Sequence, residues 1–125
     1  MARRVLIVDD DWAILELLKF TLERAGYEVD VAQNGQEFRE KAVASRWDLI
    51  ILDLMLGDED GARIHDELVK KGYDESVPVV YLSALAQDIS PTPPRPGRHF
   101  ALLAKPFDPD KLVQEIAAIV PPQGH

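Results

Sequence analysis

The chain is predicted to be an α/β domain built on a five-stranded parallel sheet, on three observations. Five short apolar segments, at residues 5–8, 27–32, 48–54, 77–82 and 100–104, have the length and composition of strands. Stretches of helical period alternate with them, as expected where crossover helices join parallel strands. Four of the segments also end on polar residues that form one chemical set: VLIV runs into Asp9, Asp10 and Asp11, LIIL into Asp53, VVYL into Ser83, and ALLA into Lys105. In open parallel sheets functional groups gather at the carboxyl ends of the strands, so these side chains are expected to share one crevice.

The elements follow in order. Residues 5–8 are the first strand. Residues 12–25 read as a helix with Leu15, Leu18 and Leu22 on one face and Glu16, Lys19 and Glu23 on another. Gly26 is placed to cap it, and YEVDVA is the second strand. Asn34-Gly35 opens a second helix to about residue 45, with Phe38 and Ala42 inward. Residues 48–54 are apolar on both faces except at Asp53, the pattern of a central strand. The Gly- and Asp-rich segment after it reads as a loop. A third helix spans 61–71, with Ile64 and Leu68 inward and Gly72 as its stop. Strands at 77–82 and 100–104 complete the sheet. Asp108 and Pro109 supply the N-cap and first residue of a last helix ending near residue 119.

A further helix belongs between Ser83 and Phe100, but prolines stand at 91, 93, 94 and 96. Each removes a backbone donor and costs ~3 kcal/mol or more inside a helix. At most two helical turns are expected there, over about 84–88, with irregular chain over 90–98. The frame is one domain over residues 1–120, with 121–125 as a tail or the stump of a linker.

With 125 residues, 46% of them hydrophobic, the chain can fill one core. Its 22 acidic residues against 14 Lys and Arg leave a net charge of -8 and no basic patch, which argues against direct nucleic-acid binding by this domain. The absence of cysteine excludes disulfides and thiolate metal sites and fits a reducing compartment. The first apolar run is too short for a signal peptide, and no run approaches the length of a membrane span. A cytoplasmic protein with no membrane contact is expected.

The chemistry rests on the strand ends. Adjacent carboxylates repel, so Asp9 and Asp10 gain from a cation between them. Mg²⁺ prefers oxygen ligands, one or two carboxylates with waters and a phosphate. Read alone, the pair is equally a solvated acidic turn capping the helix; with Asp53, Ser83 and Lys105 at matching strand ends the metal reading prevails. An aspartate at the end of a central strand is either a buried hydrogen-bonder or a reactive group, and carboxylates do attack phosphorus. Lys105 can offset charge on a phosphoryl group, and Ser83 can donate to it.

The motifs VLIVDDD, VAQNGQEF, DLIILDLMLGDEDG, VPVVYLSA and AKPF together resemble the receiver domain of two-component response regulators, from residue 5 to about residue 120. The resemblance implies a flavodoxin-like fold with strand order 2-1-3-4-5, for which a receiver domain is itself a standard example. It implies Asp53 as phosphoacceptor, Asp10 and Asp53 as direct Mg²⁺ ligands, Asp9 in support through water, and the backbone carbonyl of Met55 as a further ligand. Ser83 and Lys105 take the places of the family's Ser/Thr and lysine, and a cis bond is implied at Lys105-Pro106. The implied partners are a sensor histidine kinase or histidine phosphotransfer protein and a downstream protein. No enzymatic activity is implied beyond self-catalysed transfer and slow autodephosphorylation.

Three departures stand out. Gly57 replaces the usual proline after Leu56, Leu102 stands where a switch Tyr or Phe is usual, and the proline-rich segment displaces the helix that forms part of the common output face. Phe100 keeps the face of Leu102 two residues earlier. A monomer, or a dimer through another face, is therefore expected. Among other residues, Trp12 flanks the acids or packs at the helix start, Trp47 is a rim packing residue, and His65 is placed on a solvated helix face. His99 and His125 lack metal spacing. PTPPRP is a rigid connector or a ligand for an aromatic-lined groove.

The competing reading is a receiver-fold interaction module whose output does not depend on phosphorylation. Acetyl phosphate with Mg²⁺, compared with partner binding, separates the two. A flavin carrier of the same topology would need a Ser/Thr- or Gly-rich phosphate loop where three aspartates stand. A haloacid-dehalogenase-like phosphatase would place its nucleophile at the end of the first strand.

Overall fold

Strand residues alternate between two separate cores, one on each side of a single sheet. The computed structural model describes residues 2–83, 100–104 and 108–122. The elements are β1 (Arg4–Val8), α1 (Trp12–Arg24), β2 (Glu28–Ala32), α2 (Gly35–Ala44), β3 (Leu49–Asp53), β4 (Met55–Leu56), β5 (Glu59–Asp60), α3 (Gly61–Lys70), β6 (Val79–Ser83), β7 (Phe100–Ala104) and α4 (Pro109–Ile119). The main sheet is parallel throughout, in the order β2-β1-β3-β6-β7. Counting only its own strands, that is the 2-1-3-4-5 arrangement the motifs implied.

Val5, Ile7, Leu49, Ile51, Val80 and Leu82 pack against Leu15, Leu18 and Leu22 of α1 and Leu112 and Ile116 of α4. The intervening Leu6, Val8, Ile50, Leu52, Val79 and Tyr81 pack against Phe38 and Ala42 of α2 and Ile64 and Leu68 of α3. This two-sided burial explains why β3 is apolar at every position up to Asp53.

Local chemistry sets the helix limits. The side chains of Asp11, Asn34, Asp60 and Asp108 each accept a backbone N–H from the first turn of the helix they open. α1 and α3 close alike: Gly26 and Gly72, both at φ 105, lie one residue beyond the caps Ala25 and Lys71. The Gly26 N–H donates to Glu23 and the Tyr27 N–H to Leu22; Gly72 donates to Val69 and Tyr73 to Leu68. Both are Schellman endings.

The two ends of the described chain meet at the amino-terminal edge of the sheet. The Tyr27 hydroxyl donates to the Val120 carbonyl at 2.6 Å, and the Arg3 N–H donates to the Pro122 carbonyl at 3.0 Å. Burial raises the pKa of the Tyr27 hydroxyl above its ordinary value.

Two expectations need correction. Residues 55–60 are not plain loop: β4 and β5 pair antiparallel, Met55 with Asp60 and Leu56 with Glu59, about a Gly57-Asp58 turn. Gly57 has φ 63, the sign that a type II′ hairpin turn requires at its first central residue. His65 is not on a solvated face but fully buried, edge-on to Tyr73 with ring centroids 6.3 Å apart. The inward stripe of α3 is Gly61, Ile64, His65 and Leu68, so the spacing that turns Ile64 and Leu68 inward carries His65 with them.

β3 and β6 also begin slightly later than expected, at Leu49 and Val79. The short helix expected at 84–88, the irregular chain over 90–98, His99, the Lys105-Pro106 bond and His125 lie outside the described residues. No helix among the described residues is long and apolar enough to cross a membrane.

Candidate functional site

Register brings the acids together. Val8 of β1 pairs with Leu52 of β3, so Asp9 and Asp53 each stand one residue beyond that pair. By alternation they share the face of Ile7 and Ile51. Asp9 is fully buried, Asp53 is 4% exposed, and Asp10, at the mouth of the connection to α1, is exposed. One carboxylate oxygen from each of Asp9, Asp10 and Asp53 lies within 4.8 Å of the others.

Each of the three carboxylates accepts a backbone N–H. Asp11 donates to Asp9 Oδ1 at 2.9 Å, Met55 donates to Asp53 Oδ1 at 2.9 Å, and Gly57 donates to Asp10 Oδ2 at 3.1 Å. Such donors partly offset the repulsion within the cluster. The set is all hard oxygen, with no histidine or cysteine, and it suits Mg²⁺.

Gly61 seats α3 against β3. A Cβ there would collide with the carbonyl oxygen of Asp53 and approach the Leu52 side chain to 3.2 Å. The Gly61 N–H donates to the Leu54 carbonyl at 2.9 Å. Gly61→Ala is therefore expected to lower stability by about 1–3 kcal/mol, the usual cost of overpacking. It should also slow phosphoryl uptake, because the backbone that must give way carries Asp53. Urea titration beside phosphorylation kinetics checks both.

The β4–β5 hairpin is held from its far side by Arg39 of α2, whose Nη2 lies 3.0 Å from Glu59 and 3.2 Å from Glu67 of α3. The hydrogen bond to Glu59 is the foremost cause of a raised Arg39 pKa; burial opposes it, and Glu67 adds to it.

Ser83 ends β6, paired with Ala104 of β7, so its backbone stands at the same sheet edge one strand over from Asp53. Lys105 follows β7 directly and lies outside the described residues. Met55 opens β4 and is 61% exposed. Trp12, at the start of α1, is 50% exposed. Trp47 is buried at the opposite edge, its Nε1–H donating to the Lys41 carbonyl at 2.9 Å and its ring under the Arg4 guanidinium at 4.7 Å. The rim packing role expected for it holds. Gly57, noticed in the sequence only as a departure, and Gly61, noticed only as a helix start, both prove to touch the acids or their backbone.

A doubly wound sheet with this acidic crevice defines the response regulator receiver domain, whose family model matches residues 5–117. The chain belongs to that family, whose members are phosphorylated at an aspartate in two-component systems. It is 31% identical over 117 residues to the transcriptional regulatory protein ResD of Bacillus subtilis (94% of this chain, 48% of that one). It is 36% identical over 117 residues to the DNA-binding dual master transcriptional regulator RpaA of a Synechocystis species, with the same shares covered. The chain thus spans about half the length of these relatives. Among solved structures it is similar to the chemotaxis protein CheY4 of Vibrio cholerae, with a TM-score of 0.80, 27% identity, and 96% of this chain and 100% of that one covered. It is also similar to the response regulator TrrA of Thermotoga maritima in complex with Mg²⁺ and BeF, with a TM-score of 0.79, 30% identity, and 94% and 99% covered.

Proposed function

We propose that this domain accepts a phosphoryl group on Asp53 from a sensor histidine kinase or histidine phosphotransfer protein, and that the modified domain changes its binding of a downstream protein. The convergence of Asp9, Asp10 and Asp53 within 4.8 Å carries the reading. Asp10, Asp53 and the Met55 backbone carbonyl would hold Mg²⁺, with Asp9 in support. When bound, the ion neutralises charge on the phosphoryl oxygens.

A carboxylate oxygen of Asp53 attacks phosphorus. A new O–P bond forms as the P–N bond to the donor imidazole breaks, and that nitrogen keeps the electron pair and later takes a proton from solvent. Ser83 donates a hydrogen bond to the transferred group and the Lys105 amine offsets its charge, as preorganised donors do in phosphoryl transfer. Hydrolysis later returns the carboxylate, so the domain is a signalling acceptor rather than an enzyme acting on a separate substrate.

The reading extends to a receiver unit over residues 1–120 with 121–125 as tail, acting in the cytoplasm as a monomer or a dimer through an atypical face. Any nucleic-acid contact would be made by another part of a longer protein. Treatment with acetyl phosphate and Mg²⁺, followed by peptide mapping, tests the core of it. One phosphoryl group is expected, on the peptide carrying Asp53, and none when Mg²⁺ is chelated. Uptake at another residue, or uptake indifferent to chelation, contradicts the proposal.

A further inference from the structure

We infer that Gly57 is a positioning residue for the metal site: its backbone N–H holds the Asp10 carboxylate in place for Mg²⁺. The inference rests on the reading of Asp10 as a ligand. Asp9 and Asp53 each accept a local N–H, from a donor two residues along the chain. Asp10 is the exposed member of the three, and its donor comes from 47 residues away. Without that donor an exposed side chain between a strand and a helix samples other rotamers, away from two carboxylates that repel it.

The clamp needs two properties that position 57 combines. It needs an N–H, which proline, the residue usual here in the resemblance, lacks. It also needs φ 63, which glycine adopts without strain. The hairpin presenting the N–H is itself anchored through Glu59 to Arg39 and Glu67. The glycine therefore replaces a rigid loop residue with a hydrogen-bond donor aimed at a ligand. Donors of this kind orient metal-binding carboxylates, and their loss typically weakens affinity about 10- to 100-fold.

The test is Mg²⁺ titration followed by amide shifts at residues 9–11 and by Trp12 emission, with urea midpoints measured in parallel. Gly57→Pro, which removes the donor and cannot adopt φ 63, is expected to bind Mg²⁺ about tenfold more weakly. Gly57→Ala keeps the donor and its Cβ meets nothing within 4 Å, but alanine is strained at φ 63, so a loss smaller than that of the proline variant is expected. In an Asp10→Ala background, Gly57→Pro should add no further loss. In the metal-free chain, Asp10→Ala alone should speed hydrogen exchange at the Gly57 amide, a readout that stands even if the proline variant fails to fold.

Unchanged or tighter Mg²⁺ binding in Gly57→Pro, an equal loss in Gly57→Ala, a loss undiminished in the Asp10→Ala background, or unaltered exchange at Gly57 would each overturn the role. If Asp10→Ala itself leaves Mg²⁺ affinity unchanged, the ligand assignment fails and the inference with it. If Asp10→Ala weakens binding and Gly57→Pro does not, only the role of Gly57 fails.

Discussion

Asp53→Asn is expected to abolish phosphoryl uptake while leaving the fold intact. The carboxylate at the end of β3 is the proposed nucleophile, and an amide oxygen cannot replace it. Asparagine keeps the size of a nearly buried side chain and an oxygen that can accept the 2.9 Å hydrogen bond from the Met55 N–H. Removing one of three clustered negative charges should hold stability level or raise it slightly. Mass spectrometry after acetyl phosphate and Mg²⁺ should show one base-labile phosphoryl group on wild type and none on the variant. A phosphoryl group persisting on the variant would refute the assignment.

Asp10→Asn is expected to separate metal binding from folding. Its side chain is exposed, so the exchange leaves the two cores untouched. Loss of the charge of this proposed ligand should weaken Mg²⁺ at least tenfold, since even an indirect partner of a ligand is worth that much. Phosphoryl uptake at moderate Mg²⁺ should fall with it. Calorimetric titration of Mg²⁺ beside a urea melt checks both; unchanged affinity would remove Asp10 from the site.

The sheet and its acids were legible because strand physics is local and strongly patterned. LIIL is apolar on both faces, as a short strand buried on both sides is, and the polar residue that ends it then falls at a strand end. The misreading of His65 came from weighing residue type above helical phase; the phase was already visible in Ile64 and Leu68. The hairpin at 55–60 was hidden for another reason. Its strands are two residues each, and they rest on the positive φ of Gly57, the N–H groups of Met55 and Gly57 on the acids, and the tether of Glu59 to Arg39. The partners of Arg39 lie 20 and 28 residues away, a pairing that sequence spacing does not reveal. Gly61 looks like any helix start until the Asp53 carbonyl is seen against it.

The junction of Tyr27 with Val120 and Arg3 with Pro122 places Pro122 at the amino-terminal edge of the sheet. A segment continuing beyond Pro122 would depart from the amino-terminal edge of the sheet, whereas the acids crown the carboxyl-terminal edge. The strands between are five residues long, roughly 17 Å at the rise of a parallel strand. A tethered neighbour would thus be fastened at the pole opposite the acids. It could sense their state only by folding back over a flank of the domain or through a shift carried by the helices along its sides. The tether itself would act as a leash that sets local concentration, with no direct touch on the chemistry.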